Sequence, residues 1–284
     1  MSTLALRTPR AALGALLLLA RSEAVAQEAW LSRYAVEADV RPVTLPRPLD
    51  EASGLTATAD GRVLAHNDEE GVVYQVDAVE GKIVKRFSLG SFGVSGDFEG
   101  IARRGEAVYL VTSKGELYEF REGGDRQQVQ FRVYRTGLDA GNDVEGLCYD
   151  PAGDCLLLLC KGDPGHGLKG VKAAYAFDLK AKRLLEPPRL LIRLKEITVT
   201  EPKKFNPSDI ALHPVAGTFF VISAEGGCIV EVARDGTVLA QRRLSAKVNR
   251  HPEGITFLPE GTMLICNDGQ GGRGSLVRYP LRSR

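Results

Sequence analysis

Three short phrases carry carboxylates at matching positions: Asp97-Phe98-Glu99-Gly100-Ile101, Asp143-Val144-Glu145-Gly146-Leu147 and His251-Pro252-Glu253-Gly254-Ile255. Two further phrases, Glu51-Ala52-Ser53-Gly54-Leu55 and Asn206-Pro207-Ser208-Asp209-Ile210, keep the pattern with serine in place of the central acid. Carboxylates gathered from separate chain segments repel one another once water is removed. A hard cation with oxygen ligands relieves that repulsion, and Ca²⁺, which accepts six to eight oxygens in irregular geometry, suits such a set best. Without a cation, one or more of the acids takes up a proton. The competing interpretation is structural: each acid accepts backbone N–H groups where one unit hands over to the next.

The spacing of the phrases identifies the elements that must position them. Gly54, Gly100 and Gly146 follow one another at 46-residue intervals, Asp209 comes 63 residues later and Gly254 another 45. One period with one insertion marks a repeat protein. Each phrase ends in a turn residue and leads into short alternating runs such as Val63-Leu64-Ala65-His66 and Val72-Val73-Tyr74-Gln75-Val76, separated by Asp60-Gly61, Glu80-Gly81 or Asp235-Gly236 hairpin signals. In the second unit the fourth run is Val129 to Val133. Four antiparallel strands per unit predict an all-β, five-bladed β-propeller. The fifth unit lacks a fourth strand, and Arg33-Tyr34-Ala35-Val36-Glu37-Ala38 has the alternation to complete it, so that an N-terminal strand closes the last blade. The insertion places surface loops at Lys161 to Val171 and Leu194 to Lys204 of the third blade.

In such a ring the first strands line the channel, and the second strands return to the same mouth. The inner positions are then Ser53, Glu99, Glu145, Ser208 and Glu253, with Glu51, Asp97, Asp143, Asn206 and His251 two residues earlier. The second strands end at Asn67-Asp68, Thr112-Ser113, Cys160-Lys161, Ser223-Ala224-Glu225 and Asn267-Asp268. The expected metal ligands are Glu99, Glu145, Glu253, Asp97 and Asp143. Only the first three are acids at the inner position, so a cation should lie off-axis or borrow oxygens from the Asp97 and Asp143 tier. Glu51, Ser53, Asn67, Asp68, Ser208, Asp209, Glu225, His251, Asn267 and Asp268 complete a candidate ligand mouth.

The ends and the composition bound the setting. Arg7 and Arg10, the apolar run Ala11 to Ala20 and Ala24-Val25-Ala26 read as a signal peptide over residues 1–26, leaving residues 27–284 as one propeller domain. The apolar run is half the roughly 20 residues a bilayer span needs. Removing residues 1–26 takes the formal charge from +1 to −1, which gives no electrostatic reason to bind nucleic acid. Five cysteines, most of them inside apolar runs and none in a CxxC, point to buried thiols over a disulfide framework. The expectation is an exported periplasmic or secreted monomer without a membrane span after cleavage. No P-loop, HExxH or GxSxG elbow is present.

Taken in order, the Asp-x-Glu-Gly-Ile/Leu phrases, Asn206-Pro207-Ser208-Asp209-Ile210-Ala211-Leu212-His213-Pro214, His251-Pro252-Glu253-Gly254-Ile255-Thr256-Phe257 and the early Glu-x-Ser-Gly-Leu resemble the SdiA-regulated family of bacterial envelope propellers over residues 40–281. The resemblance implies a propeller, export and Ca²⁺ binding linked to calcium response, and it implies no established reaction. Two functions follow as expectations. The first is a Ca²⁺-binding propeller that presents its mouth to a small molecule or protein partner. The second is a metal-dependent hydrolase, a phytase-like phosphoesterase or lactonase, using the same channel. A phosphatase needs cationic side chains to hold its substrate, and only Lys114 and Lys161 stand near the mouth. That favours the binding function.

Overall fold

The computed structural model describes residues 29–91 and 93–283, so the signal-peptide expectation for residues 1–26 lies outside the described residues. After the two-residue strand β1 (Val43–Thr44), the chain folds into five antiparallel sheets around one axis. The first blade is β2 (Ala52–Ala57), β3 (Val63–Asn67), β4 (Val72–Val76) and β5 (Ile83–Leu89). The second is β6 (Phe98–Arg104), β7 (Ala107–Thr112), β8 (Glu116–Arg121) and β10 (Phe131–Arg135), with β9 (Gln128–Val129) lying between the last two in sequence. The third is β11 (Val144–Asp150), β12 (Cys155–Cys160), β13 (Val171–Asp178) and the long β14 (Arg183–Arg193). The fourth is β15 (Asp209–Leu212), β16 (Phe219–Ser223), β17 (Cys228–Val232) and β18 (Val238–Arg243). The fifth is β19 (Pro252–Phe257), β20 (Met263–Asn267) and β21 (Ser275–Tyr279), completed by β1. The chain is therefore a five-bladed β-propeller with its last blade closed by an N-terminal strand.

Two details depart from expectation. The closing strand is Val43–Thr44, which pairs with Leu276 and Ser275, and not Arg33–Ala38. The alternation of Tyr34 and Val36 serves another purpose: Leu31, Tyr34 and Val36 insert between the fourth and fifth blades beside Phe220, Ile229, Phe257 and Ile265. A 3₁₀ turn over Trp30–Arg33 starts this strap, and the Leu31 amide donates to the buried carboxylate of Glu231 at 2.7 Å. The Tyr34 hydroxyl donates to the Gly261 carbonyl at 2.7 Å and lies 2.8 Å from His213 Nε2. The strap thus ties the first described residues to both flanking blades. The second departure is in the second blade, where the expected run Val129–Val133 splits. Gln128 and Val129 cross to run parallel to Ser88 and Leu89 of the first blade, and only Phe131 onward pairs with β8.

Apolar side chains collect in five clusters, one between each pair of neighbouring blades. Blade-to-blade packing therefore supplies the core, and each strand alternates between the interfaces on its two sides. The cysteines belong to these clusters: Cys148, Cys155, Cys160, Cys228 and Cys266 are all buried and free. No helix of the described residues is long and apolar enough to cross a membrane.

Candidate cation well at the channel mouth

The recurrent phrase is a β-bulge device. In four blades the ladder between first and second strand slips by one residue at the phrase: between Ala52 and Gly54, Phe98 and Gly100, Val144 and Gly146, and Pro252 and Gly254. The extra residue in each slip is Ser53, Glu99, Glu145 or Glu253. A bulge re-aims its unpaired residue out of the pleat, and these four all line one cavity at the axis. The glycine that follows is not the turn residue expected from sequence; it permits close approach of the next blade. A Cβ on Gly100 would stand 2.8 Å from the Leu147 backbone nitrogen, and one on Gly254 would stand 2.9 Å from Gly54 Cα.

The fourth blade has no slip. Asp209 occupies the glycine position and is 2% exposed. Its Oδ1 accepts the Ile210 amide at 2.8 Å and its Oδ2 accepts the Ile255 amide of the fifth blade at 2.8 Å, with the Leu147 amide of the third blade as a further donor. Burial pushes this carboxyl well above the usual carboxylate range, against the pull of the three amides. Ser208 makes a similar hand-over, donating to the Pro252 carbonyl at 2.6 Å. For Asp209 the structural role weighed from sequence holds, Ser208 acts as a donor instead, and neither lines the well.

The well itself holds about 170 Å³ and is lined by Glu51, Ser53, Asp68, Glu99, Glu145, Lys161, Glu253 and Asp268. Five aliphatic side chains, Leu55, Ile101, Leu147, Ile210 and Ile255, stand one residue beyond the glycine or Asp209 of each phrase and are buried. They line a separate cavity of about 250 Å³ on the far side of the channel, which makes them the floor of the acidic well. Six carboxylates therefore share a small polar recess above an apolar floor, with one lysine among them.

Their electrostatics follow from that crowding. Burial, then Glu145, Asp97 and Glu253, pushes the Glu99 carboxyl up to about 9, and it hydrogen-bonds to Asp97. Burial also pushes Glu145 up to about 7, with Lys161 opposing the rise. Lys161 Nζ stands 2.8 Å from Glu145 Oε1 and 3.9 Å from Asp143 Oδ2. On the opposite side, burial followed by Glu51 pushes Asp68 up to about 6. Asp68 Oδ1 is buried with no hydrogen-bond partner among the described residues. His251 Nδ1 lies 2.7 Å from Glu253 Oε1 and 3.7 Å from Asp268 Oδ2, ion pairing that, with Glu253 foremost, raises the imidazole above its ordinary value.

Not every expected residue reaches the well. Asp97 is held by the Ser113 hydroxyl at the rim, and Asp143 stands outside the lining with a left-handed backbone (φ 52°). Asn206 joins Lys172 at 2.9 Å and pairs with Glu225, forming a separate cluster at the edge of the fourth blade. Asn67 caps the turn at Glu70, its Oδ1 accepting that amide at 3.1 Å, and Asn267 is buried without lining the cavity. Lys114 is exposed in an outer recess with Glu116 and Leu138, leaving Lys161 as the only lysine or arginine of the well among the described residues. Sequence reasoning weighed Lys161 only as a substrate-holding group. The signal for its actual place was there: it follows the second strand at the same step as Asp68 and Asp268.

The donor set is all oxygen, which fits a hard cation, and Asp68 Oδ1 is an orphaned acceptor inside it. Among the described residues, no group of three or more His, Cys, Asp or Glu side chains is arranged so that it could hold a metal ion without rearrangement. The reason is visible in the pairing: Lys161, His251 and Ser113 each engage one of the expected ligands. A larger recess of about 990 Å³ lies along the edge of the second blade. Its acids are already committed, Glu119 to Lys182, Tyr109 and Tyr134, and Glu122 to Arg62, Lys85 and Arg103.

With fold and site in view, the comparison with known families is decisive: the SdiA-regulated profile matches residues 26–268. The chain belongs to the SdiA-regulated family. No curated protein matches the sequence. Among solved structures this family member resembles Myxococcus xanthus glutaminyl cyclase, with a TM-score of 0.55 and 15% identity over 86% of this chain and 95% of that one. A luciferin-regenerating enzyme aligns at TM-score 0.53 and 11% identity over 84% and 95%. The PQQ-bound aldose sugar dehydrogenase of Streptomyces coelicolor aligns at 0.50 and 15% over 84% and 96%. At these identities the likeness extends to the propeller fold alone.

Proposed function

We propose that this SdiA-regulated propeller is an exported binding protein whose acidic well takes a hard cation, Ca²⁺ by its chemistry, in the service of an envelope or calcium response. One observation carries the proposal: bulges in separate blades aim Glu99, Glu145 and Glu253 into a recess that also holds Asp68, Asp268 and Glu51. Glu99, Glu253, Asp68, Asp268 and the Ser53 hydroxyl would hold the ion. Its charge would relieve the repulsion that otherwise keeps Glu99 protonated. Residues 1–26 supply the export signal, and a small molecule or protein partner would be received at the same mouth.

The hydrolase alternative finds less support. A phosphoesterase must hold an anionic substrate, and the charge of Lys161 is already engaged by Glu145 and Asp143 while Lys114 faces elsewhere. Metal analysis of the purified mature protein and thermal melts with Ca²⁺ or chelator test the proposal. At a hundredfold excess over Kd a native-state ligand adds about 2.7 kcal/mol, or roughly 5–10 °C for a domain of this size. A melt that Ca²⁺ leaves unmoved would remove the cation, and metal-dependent turnover of phosphoesters or lactones would reinstate the hydrolase.

A further inference from the structure

Among the described residues, Lys161 is the only lysine or arginine that lines the well. It follows β12 at the step that puts Asp68 after β3 and Asp268 after β20, so the third blade contributes an ammonium where two other blades contribute carboxylates. Its Nζ binds Glu145 Oε1 at 2.8 Å and approaches Asp143 Oδ2 at 3.9 Å, and its side chain is 40% exposed toward the mouth. Behind it, Lys172 donates to the Lys161 carbonyl and reaches Asn206 Oδ1 at 2.9 Å, fixing the strand end from which the ammonium extends.

The opposite sector is left open. Ser53 is 9% exposed and lines the well. Beside it Asp68 Oδ1 is buried and has no hydrogen-bond partner among the described residues. A buried carboxylate oxygen without a partner is costly unless something fills the space beside it. The well is therefore divided: Lys161 holds Glu145 on one side, while on the other His251 faces Glu253 and Asp268 and leaves Asp68 Oδ1 unpartnered.

We infer that Lys161 is a tethered counter-cation that sets the affinity and the position of the bound ion, reserving Glu145 and confining an incoming divalent cation to the Ser53, Asp68, Glu99, Glu253 and Asp268 side. This rests on the proposed cation binding and adds to it a residue that determines specificity. The physical content is competition. A fixed positive charge within the same small recess repels a second cation, more strongly for a divalent than for a monovalent ion. It also withholds one carboxylate from coordination. Removing the ammonium while keeping its length and apolar stem should strengthen divalent binding, whereas a guanidinium should preserve the competition.

The test is calorimetric titration of CaCl₂ into the mature protein and its Lys161→Met, Lys161→Gln and Lys161→Arg variants at one pH and ionic strength. Lys161→Met should bind at least roughly tenfold more tightly, Lys161→Gln should follow it, and Lys161→Arg should stay within about threefold of the parent. Binding by Lys161→Met alone, with none by the parent, would support the inference outright. Equal or weaker Ca²⁺ binding by folded Lys161→Met and Lys161→Gln, with binding by the parent intact, would overturn it and leave the cation proposal standing. No binding by any of the four proteins would overturn both.

Discussion

Glu99→Gln should make the metal-free protein more stable, by an amount that grows with pH. Glu99 has an ordinary value of 4.5 and is pushed up to about 9 in the fold, first by burial and then by Glu145, Asp97 and Glu253. A group raised by folding contributes stability that is fully present below its unfolded value and is lost as pH rises through its folded value. For Glu99 the window runs from 4.5 to about 9. At about 1.36 kcal/mol per pH unit, the loss by pH 8 has a ceiling of about 5 kcal/mol. Water at the open mouth and the nearby ammonium of Lys161 reduce this to an expected effect of about 2 kcal/mol. Glutamine mimics the neutral acid and keeps a donor for Asp97, so it should escape the loss. Urea unfolding in chelator at pH 5, 6.5 and 8 measures this directly. The variant should match the parent near pH 5 and exceed it by about 2 kcal/mol at pH 8. Parallel pH profiles, or a variant less stable than the parent at pH 8, would refute the electrostatic account of the well.

Two further predictions probe the scaffold that aims these groups. Asp209→Ala orphans the amides of Ile255 and Ile210, each donated at 2.8 Å. At about 1–3 kcal/mol per buried unpaired donor it should cost about 2–6 kcal/mol by urea unfolding, with Asp209→Asn recovering part because one oxygen still accepts. An unchanged midpoint would mean the three-blade clasp is not holding the axis. Tyr34→Phe removes the hydroxyl that joins Gly261 and His213 and should lose about 2 kcal/mol. A neutral result would show that the strap does not lock the fourth and fifth blades.

The number of blades and the mouth that gathers the acids could be read from the period, because a blade repeats its turn chemistry as well as its apolar pattern. The residues that close the ring could not. Tyr34 and Val36 alternate like strand residues, yet alternation reports only that two side chains face the core. Here they plug an interblade cleft, while a ladder of just Val43 and Thr44 completes the fifth blade. The glycines look like turn residues in sequence for a related reason: a glycine needed for close approach of a neighbouring blade has the same letter as one needed for positive φ. Glu99, Glu145 and Glu253 do line one cavity, since bulges in equivalent strands aim equivalent residues alike. Their partners were harder to foresee. Lys161 and His251 come from different blade positions, and which acids they pair with depends on three-dimensional proximity that no local pattern records. Asp209 shows the limit most clearly: alignment gives it the glycine position and a place in the candidate mouth, but its burial and three amide donors make it a clasp and not a ligand.

The central claim is that the well binds a cation in exchange for the proton on Glu99. The most direct measurement is calorimetric Ca²⁺ titration of the mature protein at pH 8 in two buffers of different ionisation enthalpy, which reports stoichiometry and proton release together. The account predicts saturable binding of one Ca²⁺ with release of about one proton, and loss of that release in Glu99→Gln. An absence of saturable binding, or binding with no proton released, would contradict it.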